Sequence, residues 1–426
     1  MADMVAGERQ QEISELGLRR FWMILAAFGP GLMVMLADTD AGSVITAAQS
    51  GAEWGYRMVL PQLILVPILY MVQEVTVRLG IVTGKGHGEL IRAHFGWKWA
   101  WLSVGTLFVA AVGALVTEFS GIAGVSELFG IPRWLSVGVS TGLLVGIGVS
   151  GSYKRVERIG IAVGLLELFF IPAALLAHPN LHTLAGQMVA MPLGNRNFLF
   201  LLAANVGAVI MPWMVFYQQG AVIDKRLQPS DLSLARRDTL VGSVMTQIIM
   251  IAIVMAIAAT LYTVHPGQSL VSIGSITGGL APFLGSEVAK WVFGLGMLGA
   301  SFVAGIVVSV AGAWGVTEAI GCNHSLNAKF SDAKIFYILY ALVSVGGALL
   351  VMENVNLVQL NIDVEVMNAM LLPIVVGFLL ILEAKALPNR WRMTGLRKWS
   401  TWGVSALVMS FGIYMAFTLF AGGKGI

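Results

Sequence analysis

The chain has 426 residues, 57% hydrophobic and only 12% charged, with a formal net charge of +3. A water-soluble domain carries about twice that charged fraction, so a soluble enzyme is excluded, and so small a surplus of basic residues calls for no nucleic-acid partner. The single cysteine, Cys322, excludes an intrachain disulfide.

Residues 1–17 mix acidic and basic side chains without a small-residue cleavage site. They read as a cytoplasmic N-terminal segment, not as a signal peptide. From residue 18 onward, apolar runs of about 20 residues recur between short charged loops, the length a helix needs to cross a bilayer. Eleven spans are predicted, at about 18–50, 58–79, 99–128, 132–150, 159–177, 198–217, 239–263, 287–318, 334–352, 357–383 and 399–420.

The first span is interrupted by Asp38-Thr39-Asp40-Ala41-Gly42-Ser43. Two carboxylates at that depth cost roughly 2.5–3.5 kcal/mol each. Unwound backbone there is tolerated only where it lines a cavity or is buried in protein. The interruption therefore reads as a binding site for something cationic. The sixth span is broken at Met211-Pro212, where proline removes a helix donor and clashes with the preceding turn. Two interrupted helices in corresponding positions of two halves point to an inverted-repeat transporter. The fold expected is an all-α integral membrane protein of LeuT type, with five plus five helices broken at 1 and 6. One transporter domain covers 18–426, its repeats at about 18–177 and 198–383 and an extra helix at about 399–420.

Of the 26 basic residues, only Arg57, Arg133, Arg196, Lys290 and Lys424 fall on one side of this layout. The positive-inside rule then puts the N-terminus in the cytoplasm and the C-terminus outside the cell membrane. All six histidines lie in or beside loops, which argues against a histidine metal site within the bilayer.

Several motifs together carry a resemblance. Gly29-Pro30-Gly31, Asp40-Ala41-Gly42-Ser43, Gly51 to Gly55-Tyr56 and Arg78-Leu79-Gly80-Ile81-Val82-Thr83-Gly84 resemble the opening of the Nramp family of divalent-metal transporters. Gly207-Ala208-Val209-Ile210-Met211-Pro212 resembles that family's sixth helix. The resemblance implies a metal bound between the two broken helices, with Asp40, Ser43, the Ala208 carbonyl, Met211 and Glu365 as its ligands. Asp38, Thr39 and Gly207 would stand behind them or substitute for them. Glu118, Trp213 and Gln218 fall at positions tied to gating or proton coupling. The metal is cargo and no resident cofactor is implied; the partners are the ion and the bilayer, and the chain is expected to work as a monomer.

Departures from the family pattern carry information. Ala41 and Ser43 replace a proline and an asparagine, Trp213 and Gln218 replace histidines, and Gly121 replaces an acid. Met211 keeps the sulfur that favours Mn²⁺ or Fe²⁺. Ser43, Glu365 and Asp38 make the site roomier and more acidic, which suits a partly hydrated Mg²⁺. In lacking the histidine of helix 6, with Trp213 in its place, the chain resembles a branch of the family associated with Mg²⁺ transport. With the family's titratable groups mostly gone, proton coupling is expected to be weak or absent. Two alternatives stay open: a proton-coupled Mn²⁺/Fe²⁺ importer and a LeuT-type carrier of an organic solute. Plainer roles also exist: Asp40 and Asp38 as helix caps, Met211 and Trp213 as packing, Glu365 with Asp363 at an outer vestibule, Glu118 and Glu167 as hydrogen-bonding groups between helices.

Overall fold

The computed structural model describes residues 29–352 and 356–421. The N-terminal segment 1–17, the opening of the first span and Lys424 lie outside them. Every regular element among the described residues is helical. The first span is two helices, α1 (Pro30–Asp38) and α2 (Ala41–Trp54). A 3₁₀ corner, Gly55–Met58, leads into α3 (Val59–Thr83). Then follow α4 (His87–Phe95), α5 (Trp97–Leu128) and α6 (Arg133–Gly148). The fifth span is α7 (Tyr153–Gly164), a 3₁₀ segment Leu165–Phe169, and α8 (Phe170–Leu176). After the short α9 (Leu181–Val189), the sixth span is again two helices, α10 (Arg196–Val209) and α11 (Pro212–Asp224). The remainder is α12 (Leu232–Val264), α13 (Ile273–Leu284), α14 (Ser286–Ile320), α15 (Lys334–Leu350), α16 (Leu357–Ala386) and α17 (Gly395–Ala421).

Among the described residues eight helical runs are long and apolar enough to cross a membrane. The run Ala41–Thr83 is 43 residues long, more than twice what one crossing requires. α6 and α15 are shorter apolar helices over the stretches read as the fourth and ninth spans. α4, α9 and α13 lie between spans and were not anticipated from hydropathy, because they are too short to register as crossings.

The first interruption is narrower than the sequence suggests. Only Thr39 and Asp40 leave the helix, and it resumes at Ala41 because Asp40 is an N-cap, its Oδ1 accepting the Ser43 N–H at 2.7 Å. Pro30 and Pro212 each occupy a first-turn position, where a missing N–H costs nothing.

α12 runs as a rail along both halves of the broken first span. Asp238 lies at the start of α1, accepting the N–H groups of Gly29, Gly31 and Leu32 at 3.2, 2.8 and 3.0 Å. Thr246 lies at the break, 2.6 Å from the Thr39 hydroxyl. Farther on, a Cβ at Gly51 in α2 would stand 2.6 Å from the Val254 carbonyl. Small residues allow such close approach where apolar burial cannot drive helices together.

Candidate functional site

The centre is built where α2 begins. Asp40 is fully buried; one carboxylate oxygen caps α2 and the other, Oδ2, has no hydrogen-bond partner. Ser43, one turn into α2, donates its hydroxyl to the Ala208 carbonyl at 2.9 Å and so ties the two broken spans together. Ala208 can be reached because α10 ends at Val209, Ile210 caps it, and Met211 is extended before Pro212.

α16 closes the third side. A Cβ at Gly207 would fall 1.8 Å from the Glu365 carbonyl, so only glycine permits this approach of α10 to α16. A Cβ at Gly42 would fall 2.1 Å from Glu365 Oε1 and 3.4 Å from Asp40 Oδ1, so the two carboxylates converge over that glycine. Glu365 Oε2 accepts from the Asn368 amide at 3.0 Å, one turn along α16, and Oε1 is unpartnered.

α5 supplies Glu118, whose Oε2 accepts the Ala41 N–H at 3.1 Å, directly beside Asp40 at the start of α2. Glu118 thus caps α2 from outside while Asp40 caps it from within. At Gly121, a Cβ would meet Ser301 Oγ at 2.5 Å and Ala41 Cβ at 2.6 Å. Two of the sequence's departures are therefore one packing contact: glycine on α5 fits against alanine at the break, with no room for an acid between them.

Asp38 ends α1, with Oδ2 3.3 Å from the Thr246 hydroxyl and Oδ1 unpartnered. Met211 is buried, and its sulfur takes the Trp213 indole N–H at 3.1 Å. Gln218 turns to Thr239, donating at 2.9 Å. Trp213 therefore turns back to the break of the sixth span through Met211, while Gln218 leads to α12. Asn368 and Thr246 were missed in the sequence. Asn368 had a usable signal, since it lies three residues from Glu365 on one helix face; Thr246 had none, its place being set by the register of α12.

Neither Asp40, Glu118 nor Glu365 takes part in an ion pair among the described residues. Those residues also contain no group of three His, Cys, Asp or Glu side chains arranged as a metal cluster. The donors on hand are carboxylate, carbonyl, hydroxyl and thioether. Burying acids without a basic partner is costly unless a cation or a proton accompanies them.

A bundle with two spans broken at one level, and unpaired carboxylates buried between the breaks, defines a LeuT-type membrane protein. Over residues 31–418 the chain matches the family described as natural resistance-associated macrophage protein-like, and it belongs to that Nramp family. A relative from Chromohalobacter salexigens, named divalent metal cation transporter MntH, is 26% identical over 316 residues, 71% of this chain and 73% of its own. The manganese transporter of Eremococcus coleocola superimposes with a TM-score of 0.72 at 18% identity, covering 95% of this chain and 90% of that one. A Na⁺-coupled sialic acid symporter shares the fold more loosely, with a TM-score of 0.59 at 13% identity over 91% of this chain and 89% of that one.

Proposed function

We propose that the protein carries a divalent metal cation across the cell membrane by alternating access, the ion being held between the two broken spans. The observation that carries this reading is the convergence of Asp40 and Glu365 over Gly42, each with a bare oxygen and neither with a basic partner. In this reading Asp40 is the anchor, and Ser43, the Ala208 carbonyl, Met211 and Glu365 complete the ligand set. Calorimetry with purified protein tests it: Asp40→Ala should abolish divalent-ion binding, and an unchanged isotherm would overturn the proposal. Buried unpaired acids disfavour the organic-solute alternative, because half-helix ends that receive a substrate carboxylate would be opposed by them.

The ion favoured is Mg²⁺, with Mn²⁺ also accepted. Two carboxylates and a hydroxyl form a hard donor set, and the one soft donor, Met211, already accepts an N–H from Trp213. Met211→Ala should weaken Mn²⁺ binding more than Mg²⁺ binding if the sulfur is a ligand; equal losses would remove it from the set. Proton coupling is proposed to be weak, since Gly121, Trp213 and Gln218 offer no titratable group. Divalent uptake into proteoliposomes should proceed with little acidification, and stoichiometric acidification would refute this. The Lys/Arg-rich end, which holds the start of α1, is taken as cytoplasmic, and residues 18–426 as one transporting unit of two repeats and an extra helix.

A further inference from the structure

One strongly polar group next to the break is unused by the transport site. Glu167 is fully buried, and neither carboxylate oxygen has a hydrogen-bond partner. It lies on the 3₁₀ segment Leu165–Phe169 that interrupts the fifth span. Such an interruption inside a long helix often marks a functional position.

The register of the fifth span against α1 shows where Glu167 faces. A Cβ at Gly160 would lie 2.6 Å from the Met33 methyl, and one at Gly164 would lie 3.0 Å from Leu36. Each step of three or four residues on one helix matches three on the other. The next step in that register sets Glu167 opposite Thr39. Beyond Thr39 the polar groups continue: Thr39 Oγ1 is 2.6 Å from Thr246 Oγ1, which is 3.3 Å from Asp38 Oδ2. Asp38 Oδ1 is also buried and unpartnered. Three elements therefore bring two buried carboxylates and two hydroxyls together beside the break.

We infer that Asp38, Thr39, Thr246 and Glu167 form a second cation site, for a monovalent ion of the Na⁺ class, beside the divalent site. Every donor is oxygen, which selects a hard cation. Among the described residues neither Glu167 nor Asp38 enters an ion pair, so no basic side chain of the protein takes the place of a cation there. A second divalent ion this close to the first would be repelled strongly at low dielectric; a single positive charge offsets the acids at less cost. Because three of the four residues lie on α1, the break and α12, occupancy would also hold α1 against its rail.

The choice of a monovalent ion rests on a divalent ion at Asp40, so the site is first tested with no divalent ion present. In EDTA, NaCl in place of choline chloride should raise the melting temperature of purified protein by at least about 2 °C. Glu167→Gln and Thr246→Val should each abolish that rise. No rise in the parent protein, or a rise retained in both variants, overturns the site. In proteoliposomes at fixed pH, Na⁺ should change the rate of divalent uptake several-fold in the parent and not in the variants. Dependence on pH alone, lost in Glu167→Gln, would make the occupant a proton and overturn the assignment to Na⁺. Loss of divalent binding in Asp40→Ala is scored separately by calorimetry, so the two readings fail independently.

Discussion

Gly42 lies under two carboxylates that have no other reason to approach each other. A methyl group there would meet the mobile end of Glu365 at 2.1 Å and Asp40 Oδ1 at 3.4 Å. The end of a glutamate can swing away, so Gly42→Ala should cost little stability while moving one carboxylate off the site. Divalent-ion affinity is expected to fall about tenfold or more, the usual penalty for misplacing groups around a metal, with the melting temperature of metal-free protein nearly unchanged. Calorimetry and a thermal melt on the same sample check both halves. Gly207→Ala makes the contrast, because its methyl would strike the backbone carbonyl of Glu365 at 1.8 Å. That clash forces α10 and α16 apart, an overpacking cost of about 1–3 kcal/mol or more, and it should appear as lost stability.

At the scale of elements, the position of α1 is set by its first turn. Asp238 accepts three of the N–H groups at its start, which have no partner inside the helix. Beside them the Lys225–Glu157 pair, at 3.2 Å, packs against Gly29. Asp238→Ala leaves buried donors unsatisfied, at about 1–3 kcal/mol, and should free α1 to swing away from α12. A cysteine placed at Met33 in a variant without Cys322 should then react faster with a membrane-permeant thiol reagent. Unchanged labelling would show that packing alone holds α1. The broken spans were legible in the sequence because their causes are local: two acids and a glycine in one, a proline in the other. The length of the first gap was not, since it depends on Asp40 and Glu118 both capping α2. That Asp40 and Glu365 come together was expected from the motif and a count from Pro373, whereas the placement of Glu167 beside α1 was not. Its orientation follows from how the fifth span packs on α1 and from a 3₁₀ segment that apolar periodicity does not reveal.

Across the whole molecule, polar latches stand at both ends of the buried site. At the Lys/Arg-rich end, buried Arg78 pairs with Glu74 at 3.2 Å and Glu383 at 3.0 Å, and Arg236 of α12 joins Glu74 at 2.8 Å. At the other end Leu270 donates its N–H to Gln49 at 2.9 Å, and Ser269 bonds Glu53 at 2.6 Å. Under the alternating-access cycle proposed above these would release in turn, and α4 packs beside the first of the two ends. His87 opens α4, its ring edge-on to Phe216 at 4.8 Å and its Nδ1 3.3 Å from Gln219 of α11. The next residue, Gly88, donates its N–H to Glu318 of α14 at 2.9 Å. Burial pushes the His87 imidazole down to about 4, against the weaker opposing effect of the Gln219 bond. In the unfolded chain the same ring titrates near 6.5, so on acidification the unfolded chain binds the proton first. The stability contributed by the neutral ring is therefore complete above about pH 6.5, declines below it, and is gone once the pH has fallen through about 4, a total of about 3 kcal/mol. His87→Gln removes the packing of the ring and should be less stable at about pH 7.5, yet it lacks this titration. The gap in melting temperature between parent and variant should then narrow steadily toward about pH 5. A constant gap would mean that His87 stays neutral in both states over that range, and that acid does not loosen α4 from α11 through this residue.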